Sequence, residues 1–298
     1  MIVPPISDRV AWIALAAVCF FWGTTYLGIR VALEGLAPQQ LVAVRFLLSG
    51  ALILAWAFAR GWKFPRGREF WWPVGTGLLT LGVGNYCLSL AETYIPSGMA
   101  ALIITMAPFW MVGMEALVPG GVRPRPLALL SMLVGFAGVL LLLGPDALAQ
   151  GFSGAALRGF LILQFSCFGW SFGSILQKRR KSGADPILVG GIQQLSVGLA
   201  FGVVALFTPA PAPQWTLGVL GAVLYLALFG SILAYSAYLI ALARLPVAVV
   251  SIYTYVNPVV ALALGWLFYR ESVGQREVWA MVLIFLGVYC INRFSKKP

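Results

Sequence analysis

Several polar and aromatic side chains lie deep inside apolar stretches of about twenty residues, the length of a membrane-spanning helix. Arg45 is the one basic residue inside such a stretch, and ionisable groups at this depth usually face the interior of a helix bundle. One interpretation of Arg45 is recognition of a carboxylate; the other is that it extends outward or bonds backbone carbonyls. The candidate substrate-binding residues are Trp22, Tyr26, Arg45, Asn85, Tyr86, Trp110, Trp170, Tyr235, Tyr238 and Asn257.

Side chains that both donate and accept hydrogen bonds occur at matching depths of two stretches. Asn85 and Tyr86 lie in one, and Tyr235 and Tyr238 lie in the other. Such groups suit the ammonium and carboxylate of a zwitterion without adding net charge. The alternative is that they hold helices together, a contact worth about 0.6 kcal/mol in membranes.

Two tryptophans, Trp22 and Trp170, lie near the middle of their stretches, away from the interface where aromatic belts occur. An indole N–H at that depth needs a hydrogen-bond partner, which a substrate cavity would supply. The flat ring would also stack on an aromatic substrate or hold a cation. Packing between helices is the alternative.

Two prolines interrupt apolar stretches near their middles. Trp110 lies two residues beyond Pro108, and Asn257 directly precedes Pro258. A buried proline leaves a carbonyl without its donor and kinks the helix. Pro108 and Pro258 are therefore candidate hinges, with tolerated kinks as the alternative.

The composition identifies the elements that position these residues. Of 298 residues, 61% are hydrophobic and 10% are charged, whereas a soluble domain needs about 25% charged residues. Continuous apolar runs favour helices over a barrel, whose strands alternate. We predict an all-α polytopic membrane protein with ten transmembrane helices, near residues 11–32, 39–59, 71–91, 97–118, 127–144, 157–176, 187–207, 216–242, 247–268 and 277–293.

The sequence repeats itself internally. Three residues recur 148 positions later and three recur 150 positions later. Each half holds five helices, an odd number, so the halves would have opposite membrane orientations, which is typical of secondary transporters with a site at the midplane. We therefore expect two inverted five-helix repeats, residues 1–148 and 149–298. The matched pairs are Trp22 and Trp170, Pro38 and Pro186, Gly50 and Gly198, Ala91 and Ala241, Pro96 and Pro246, and Pro108 and Pro258.

The net charge of +11 is explained by membrane orientation rather than by nucleic-acid binding. Basic residues are retained on the cytoplasmic side, so both termini are predicted to be cytoplasmic. One face carries fifteen: Arg9, Arg60, Lys63, Arg66, Arg68, Arg123, Arg125, Lys178, Arg179, Arg180, Lys181, Arg244, Arg293, Lys296 and Lys297. The other carries four: Arg30, Arg158, Arg270 and Arg276.

Metal sites, cofactors and covalent chemistry have no support in the sequence. Histidine is absent, and the four cysteines occur singly, without metal-ligand spacing. An intramembrane enzyme would need a Ser/His arrangement, a pair of aspartates or a metal. A channel would need a filter loop or a ring of like side chains. A carrier that moves small molecules remains the favoured class.

These residues resemble the drug/metabolite transporter superfamily, specifically its ten-helix EamA-type members. The resemblance covers nearly the whole chain, and its aromatic richness is similar to that of bacterial exporters of aromatic amino acids. Gly121, which lies 150 positions before Glu271, departs from the pattern, which expects an acidic residue there. The matching residues are Trp22 with Gly23, Arg45, the repeated Ala91, Pro96 and Pro108, Glu271, and Gly287 with Val288.

The resemblance implies a carrier in a bacterial inner membrane, working as a monomer and without a cofactor. Its substrates would be aromatic and other large neutral amino acids, exported by alternating access through a central cavity. We expect that cavity between helices one, three, four, six, eight and nine, because these helices carry the midplane polar and aromatic residues of both halves. The alternative is export of cationic drugs or of nucleosides, sugars or amines. Small multidrug antiporters of the superfamily carry a glutamate in the first helix. Here that helix has none, and Glu92 and Glu115 lie near span ends, so we predict a facilitator.

Overall fold

The computed structural model describes residues 9–118, 126–150, 154–179, 183–245, 250, 253–270 and 273–294. These residues form helices joined by short connections, with no strand among them. The helices are α1 (Arg9–Ala32), α2 (Pro38–Ala59), α3 (Arg68–Gly77), α4 (Gly84–Ala91), α5 (Ser97–Ile104), α6 (Ala107–Leu117), α7 (Pro126–Gln150), α8 (Ala155–Arg179), α9 (Pro186–Phe207), α10 (Leu217–Tyr225), α11 (Ala234–Arg244), α12 (Tyr253–Tyr269) and α13 (Gln275–Phe294).

Within the described residues, seven helical segments are long and apolar enough to cross a membrane. Two further apolar helices are shorter, at Leu129–Leu141 and Val256–Tyr269. The predicted all-helical polytopic class is thus confirmed, while the count of ten stays a prediction. The seven segments are Arg9–Ala32, Pro38–Ala59, Arg68–Ala91, Ser97–Leu117, Ala155–Gln177, Pro186–Phe207 and Leu217–Ala241.

Two of these spans each contain a π-helical segment that the sequence did not predict. The first, Leu78–Val83, joins α3 to α4, and the second, Leu226–Leu233, joins α10 to α11. Their first residues are 226 − 78 = 148 positions apart and their last are 233 − 83 = 150 apart. The π segments therefore occur at the spacing of the sequence repeat. Such segments are frequent at functional sites.

The fourth span is broken rather than bent. Helix α5 ends at Ile104, the chain makes a turn through Thr105 and Met106, and α6 begins at Ala107. Pro108 therefore occupies the first turn of α6, where its missing N–H costs no helical hydrogen bond. Pro258 instead lies inside α12.

Helices α2 and α9 pack closely because glycines face each other across the contact. A Cβ on Gly50 would lie 2.3 Å from the backbone nitrogen of Leu195, and one on Gly198 would lie 2.3 Å from that of Leu47. Only glycine permits this approach. Elsewhere, α1 packs against α10, α11 and α12, while α8 packs against α3, α4, α5 and α6. Helix α7 lies along α13.

Candidate functional site

A cavity lies inside the bundle, with an empty volume of about 790 Å³ counting its open mouth. Helices α1, α2, α4, α5, α6, α8, α9, α11 and α12 contribute to it, together with both π segments. The structure thus brings together seven of the predicted site residues and adds polar residues that the sequence analysis missed. The predicted residues on its wall are Trp22, Tyr26, Arg45, Asn85, Trp170, Tyr235 and Asn257; the added ones include Ser166, Gln194, Ser231, Tyr253 and Thr254.

Arg45 is a buried cation on the cavity wall, with 6% of its surface exposed. Its Nε donates to the Ser231 hydroxyl at 2.8 Å and its Nη1 donates to the Asn85 amide oxygen at 3.3 Å. The guanidinium carbon lies 5.0 Å from the centroid of the Phe46 ring. Within the described part of the chain, the hydrogen-bond partners of Arg45 are neutral side chains on other helices, not backbone carbonyls. Its positive charge is therefore held beside the cavity by neutral groups.

The hydrogen-bonded pair of Arg45 and Asn85 has a neutral counterpart in the second half of the chain. Gln193 lies 148 positions after Arg45, and Tyr235 lies 150 positions after Asn85. The Tyr235 hydroxyl donates to the Gln193 amide oxygen at 2.8 Å, and the Gln193 amide nitrogen donates to the Thr76 hydroxyl at 3.1 Å. Corresponding positions thus form corresponding hydrogen bonds, but only the first pair carries charge.

An aromatic cluster forms another part of the wall. The rings of Trp22 and Trp170 meet edge to face, with centroids 5.6 Å apart and planes at 85°. Tyr253 meets Trp22 at 5.0 Å, also edge to face. The Trp22 indole N–H donates to the carbonyl of Gly230 at 3.1 Å. The acceptor for the Trp22 indole N–H is therefore a carbonyl of the second π segment rather than a substrate.

Two serines of α8 donate hydrogen bonds to backbone carbonyls at places where the neighbouring spans depart from regular α-helix. The Ser166 hydroxyl donates to the carbonyl of Gly84, next to the first π segment, at 2.7 Å. The Ser171 hydroxyl donates to the carbonyl of Ala107, at the break in the fourth span, at 3.0 Å. These irregular backbone segments are thereby fixed against α8, as buried polar groups require.

Three predicted site residues do not line the cavity. Tyr86 packs on Phe201, with ring centroids 5.1 Å apart. The Trp110 indole donates to the Gln164 amide oxygen at 3.0 Å. Tyr238 lies behind the wall, 5.1 Å from the centroid of Trp22.

Asn257 and Gln194 on the cavity wall each donate side-chain hydrogen bonds to backbone carbonyls. With its amide oriented to satisfy its surroundings, the nitrogen of Asn257 donates to the carbonyls of Cys19 at 3.1 Å and Tyr253 at 3.0 Å. It therefore ties α12 to α1. The Gln194 amide nitrogen donates to the carbonyl of Ser231 at 3.4 Å. Adjacent glutamines in an apolar run were the sequence signal that could have revealed Gln193 and Gln194.

Of the acidic residues that the structure describes, none lines the cavity wall. Glu92 is completely buried at the C-terminal end of α4, and its backbone carbonyl accepts a hydrogen bond from Arg30 at 2.8 Å. The burial of Glu92 was not evident from its place near a span end. Gly121, Pro246 and Glu271 lie outside the described residues. Among the residues that are described, no group of three potential metal ligands occurs.

Membrane-crossing helices that surround a buried, partly polar cavity are the architecture of a membrane transporter. The sequence model of the EamA-like transporter family matches residues 10–144 and, a second time, residues 157–293. The chain therefore belongs to the EamA-like transporter family, within the drug/metabolite transporter superfamily. The predicted superfamily is confirmed.

Similar proteins match this chain along nearly their whole length. The "Uncharacterized inner membrane transporter YedA" of Escherichia coli (strain K12) is 33% identical, with 96% of this chain and 92% of the relative covered. "Protein PecM" of Dickeya dadantii (strain 3937) is 26% identical, with 92% and 89% covered. A solved crystal structure with a TM-score of 0.69 and 23% identity covers 98% of this chain and 100% of its own, which shows a shared fold.

Proposed function

We propose that this transporter exports aromatic and other large neutral amino acids through the central cavity. The observation that carries the proposal is the position of Arg45, a buried cation with neutral partners on the wall of a cavity that also presents Trp22, Trp170 and Tyr253. A carboxylate in the cavity would form charge-assisted hydrogen bonds with the guanidinium. The aromatic rings would contact the side chain of the substrate.

The neutral polar groups of the wall complete the proposed site. The amide oxygens of Asn85 and Gln194 and the hydroxyl of Ser231 are acceptors that suit a substrate ammonium group. The alternative substrates, cationic drugs and amines, would bring a positive charge next to Arg45 without a carboxylate to offset it. The site therefore favours zwitterions over cations. Nucleosides and sugars lack the carboxylate that Arg45 would bind.

The proposed mechanism is alternating access by two inverted five-helix repeats, residues 1–148 and 149–298. Three observations support it: the family model matches each half in turn, the π segments recur at the repeat spacing, and α1 packs on the second π segment as α8 packs on the first. Rocking of the halves would exchange contacts such as that between Trp22 and Gly230. The break at Pro108 and the proline at Pro258 are the proposed hinges.

The proposed location is a bacterial inner membrane, with both termini in the cytoplasm and the chain acting as a monomer. The printed name of the Escherichia coli relative, an inner membrane transporter, supports the location. The fifteen-to-four distribution of basic residues supports the orientation.

The test compares tryptophan with tryptamine, which has the same ring and amine but no carboxylate. Purified protein in liposomes should transport labelled tryptophan, and unlabelled phenylalanine should compete, whereas tryptamine, which lacks the carboxylate, should not. Arg45→Gln should lower tryptophan transport at least tenfold, about 1.4 kcal/mol. Arg158→Gln, at an exposed position on α8, is the matched control and should behave as the parent protein. Equal inhibition by tryptamine and phenylalanine, or full activity of Arg45→Gln, would contradict the proposal.

A further inference from the structure

A groove on the outer surface of the bundle is separate from the central cavity. It lies between α1, α2 and α11, and the end of the second π segment and the start of α9 also line it. Its floor contains Ala14, Ile53 and Ala237, all buried, and Ile13 and Leu52 stand on its walls with 69% and 44% of their surfaces exposed. The empty volume is about 1060 Å³ counting the open side. Two alanines on the floor leave room for an apolar channel that faces the surroundings of the bundle.

The groove runs along the helices rather than across them. On α1 its lining extends from Val10 to Ala17, eight residues or about 10 Å of helix. On the opposite side it extends from Leu233 to Ile240, the same number of residues. A narrow apolar channel parallel to membrane-spanning helices has the shape and polarity of an acyl chain.

Basic residues gather at one end of the groove. Arg9 directly precedes Val10 on α1, and the Arg60 guanidinium carbon lies 5.5 Å from the ring centroid of Trp56, which lines the groove. Trp56 is also held edge to face by Trp62, with centroids 5.0 Å apart. Arg9 and Arg60 are exposed. Tryptophan and arginine together are typical of the level of lipid headgroups.

Among the described residues, two further charged side chains lie near this end of the groove, one basic and one acidic. Arg244 lies four residues beyond Ile240, the last lining residue of α11. Asp185 precedes Ile187, another lining residue, but its carboxylate accepts the Ile187 N–H at 2.8 Å as the N-cap of α9. The groove therefore combines an apolar length with a cationic end.

We propose that this groove binds a phospholipid with a net negative charge. One acyl chain lies along α1 and α11 over Ala14 and Ala237, and the phosphate lies between Arg9 and Arg60. Arginine binds phosphate oxygens through paired N–H groups, and Trp56 positions the Arg60 guanidinium. An anionic headgroup is preferred over a zwitterionic one, because a zwitterionic headgroup adds a positive charge beside the arginines. This site is independent of the amino-acid substrate proposed for the cavity.

The experiment measures lipid retained by purified protein in native mass spectrometry. The parent protein, mixed with equal amounts of phosphatidylglycerol and phosphatidylethanolamine, should retain phosphatidylglycerol at least about fivefold in excess. Ala17→Phe, which fills the groove, should reduce retained phosphatidylglycerol about tenfold. Ala263→Phe, on an exposed position of α12, is the control for added bulk and should retain lipid normally. Arg60→Gln should remove most of the headgroup preference.

A second variant tests the groove independently, in case Ala17→Phe does not fold. Ile13→Gln changes an exposed wall residue and should also reduce retained lipid while the protein stays monodisperse. Equal retention of the two lipids by the parent protein would overturn the headgroup assignment. Normal retention by Ile13→Gln and Ala17→Phe would overturn the groove assignment. A dimer that Ala17→Phe dissociates would show that a second copy of the chain occupies the groove instead.

Discussion

Trp22 and Trp170, which lie 148 positions apart in the sequence, meet edge to face inside the bundle with ring centroids 5.6 Å apart. Contact between matching positions is what a two-fold axis through the cavity would produce, because a residue near the axis meets its own counterpart. The contact also joins α1 to α8, the first helices of the two proposed halves. Both rings line the cavity.

Removing either indole should impair transport more than folding. Trp22→Ala and Trp170→Ala are expected to lower amino-acid uptake into liposomes at least tenfold, since each loses ring contact with substrate and with the other ring. Trp215→Ala, a half-exposed tryptophan outside the cavity, is the control and should keep full activity. Size-exclusion chromatography should give monodisperse protein for all three. Parental uptake by both cavity variants would contradict the assignment.

The hydrogen bond between Tyr235 and Gln193 should stabilise the protein. Gln193→Leu is expected to lower the free energy of unfolding by about 1–3 kcal/mol, because the buried hydroxyl loses its acceptor. Combining it with Tyr235→Phe should recover part of the loss, since neither partner is then left unpaired. Thermal unfolding of the single and double variants measures this coupling. Additive effects of the two substitutions would contradict a direct bond.

Transport should run down the substrate gradient without a proton gradient. The acidic residues that the structure describes do not line the cavity, and Glu92, though completely buried, lies at the end of α4. We expect uptake at equal internal and external pH, with the same pH response in the parent protein, Glu92→Gln and Glu115→Gln. Strict dependence on an imposed proton gradient that Glu92→Gln abolishes would show that the buried carboxylate couples protons.

The orientation can be tested at two exposed positions on opposite faces. In a variant whose four native cysteines are replaced, Phe64→Cys should react with a membrane-impermeant maleimide only in inverted vesicles, because its loop is rich in basic residues. Trp215→Cys should react in intact cells. The reverse labelling pattern would place the termini outside.

The sequence alone determined the helical membrane class and the superfamily. Apolar runs of about twenty residues leave helices as the simplest spanning structure, since each run can satisfy its own backbone hydrogen bonds. The same runs also located Arg45, because an isolated charge in an apolar segment is visible without coordinates. The EamA-like family match followed from residues spread along the whole chain.

The tertiary structure decided which polar residues share the cavity. Asn85 and Tyr86 are neighbours on α4, separated by about 100° around the helix, so one lines the cavity while the other packs on Phe201. An apolar run has hydrophobic residues on every face, so its periodicity does not reveal which face is interior. The sequence did not reveal the π segments either, because the hydrogen bonds that hold them come from helices far away in the sequence. Trp22 donates to the carbonyl of Gly230 within the second segment, and Ser166 donates to the carbonyl of Gly84 directly after the first.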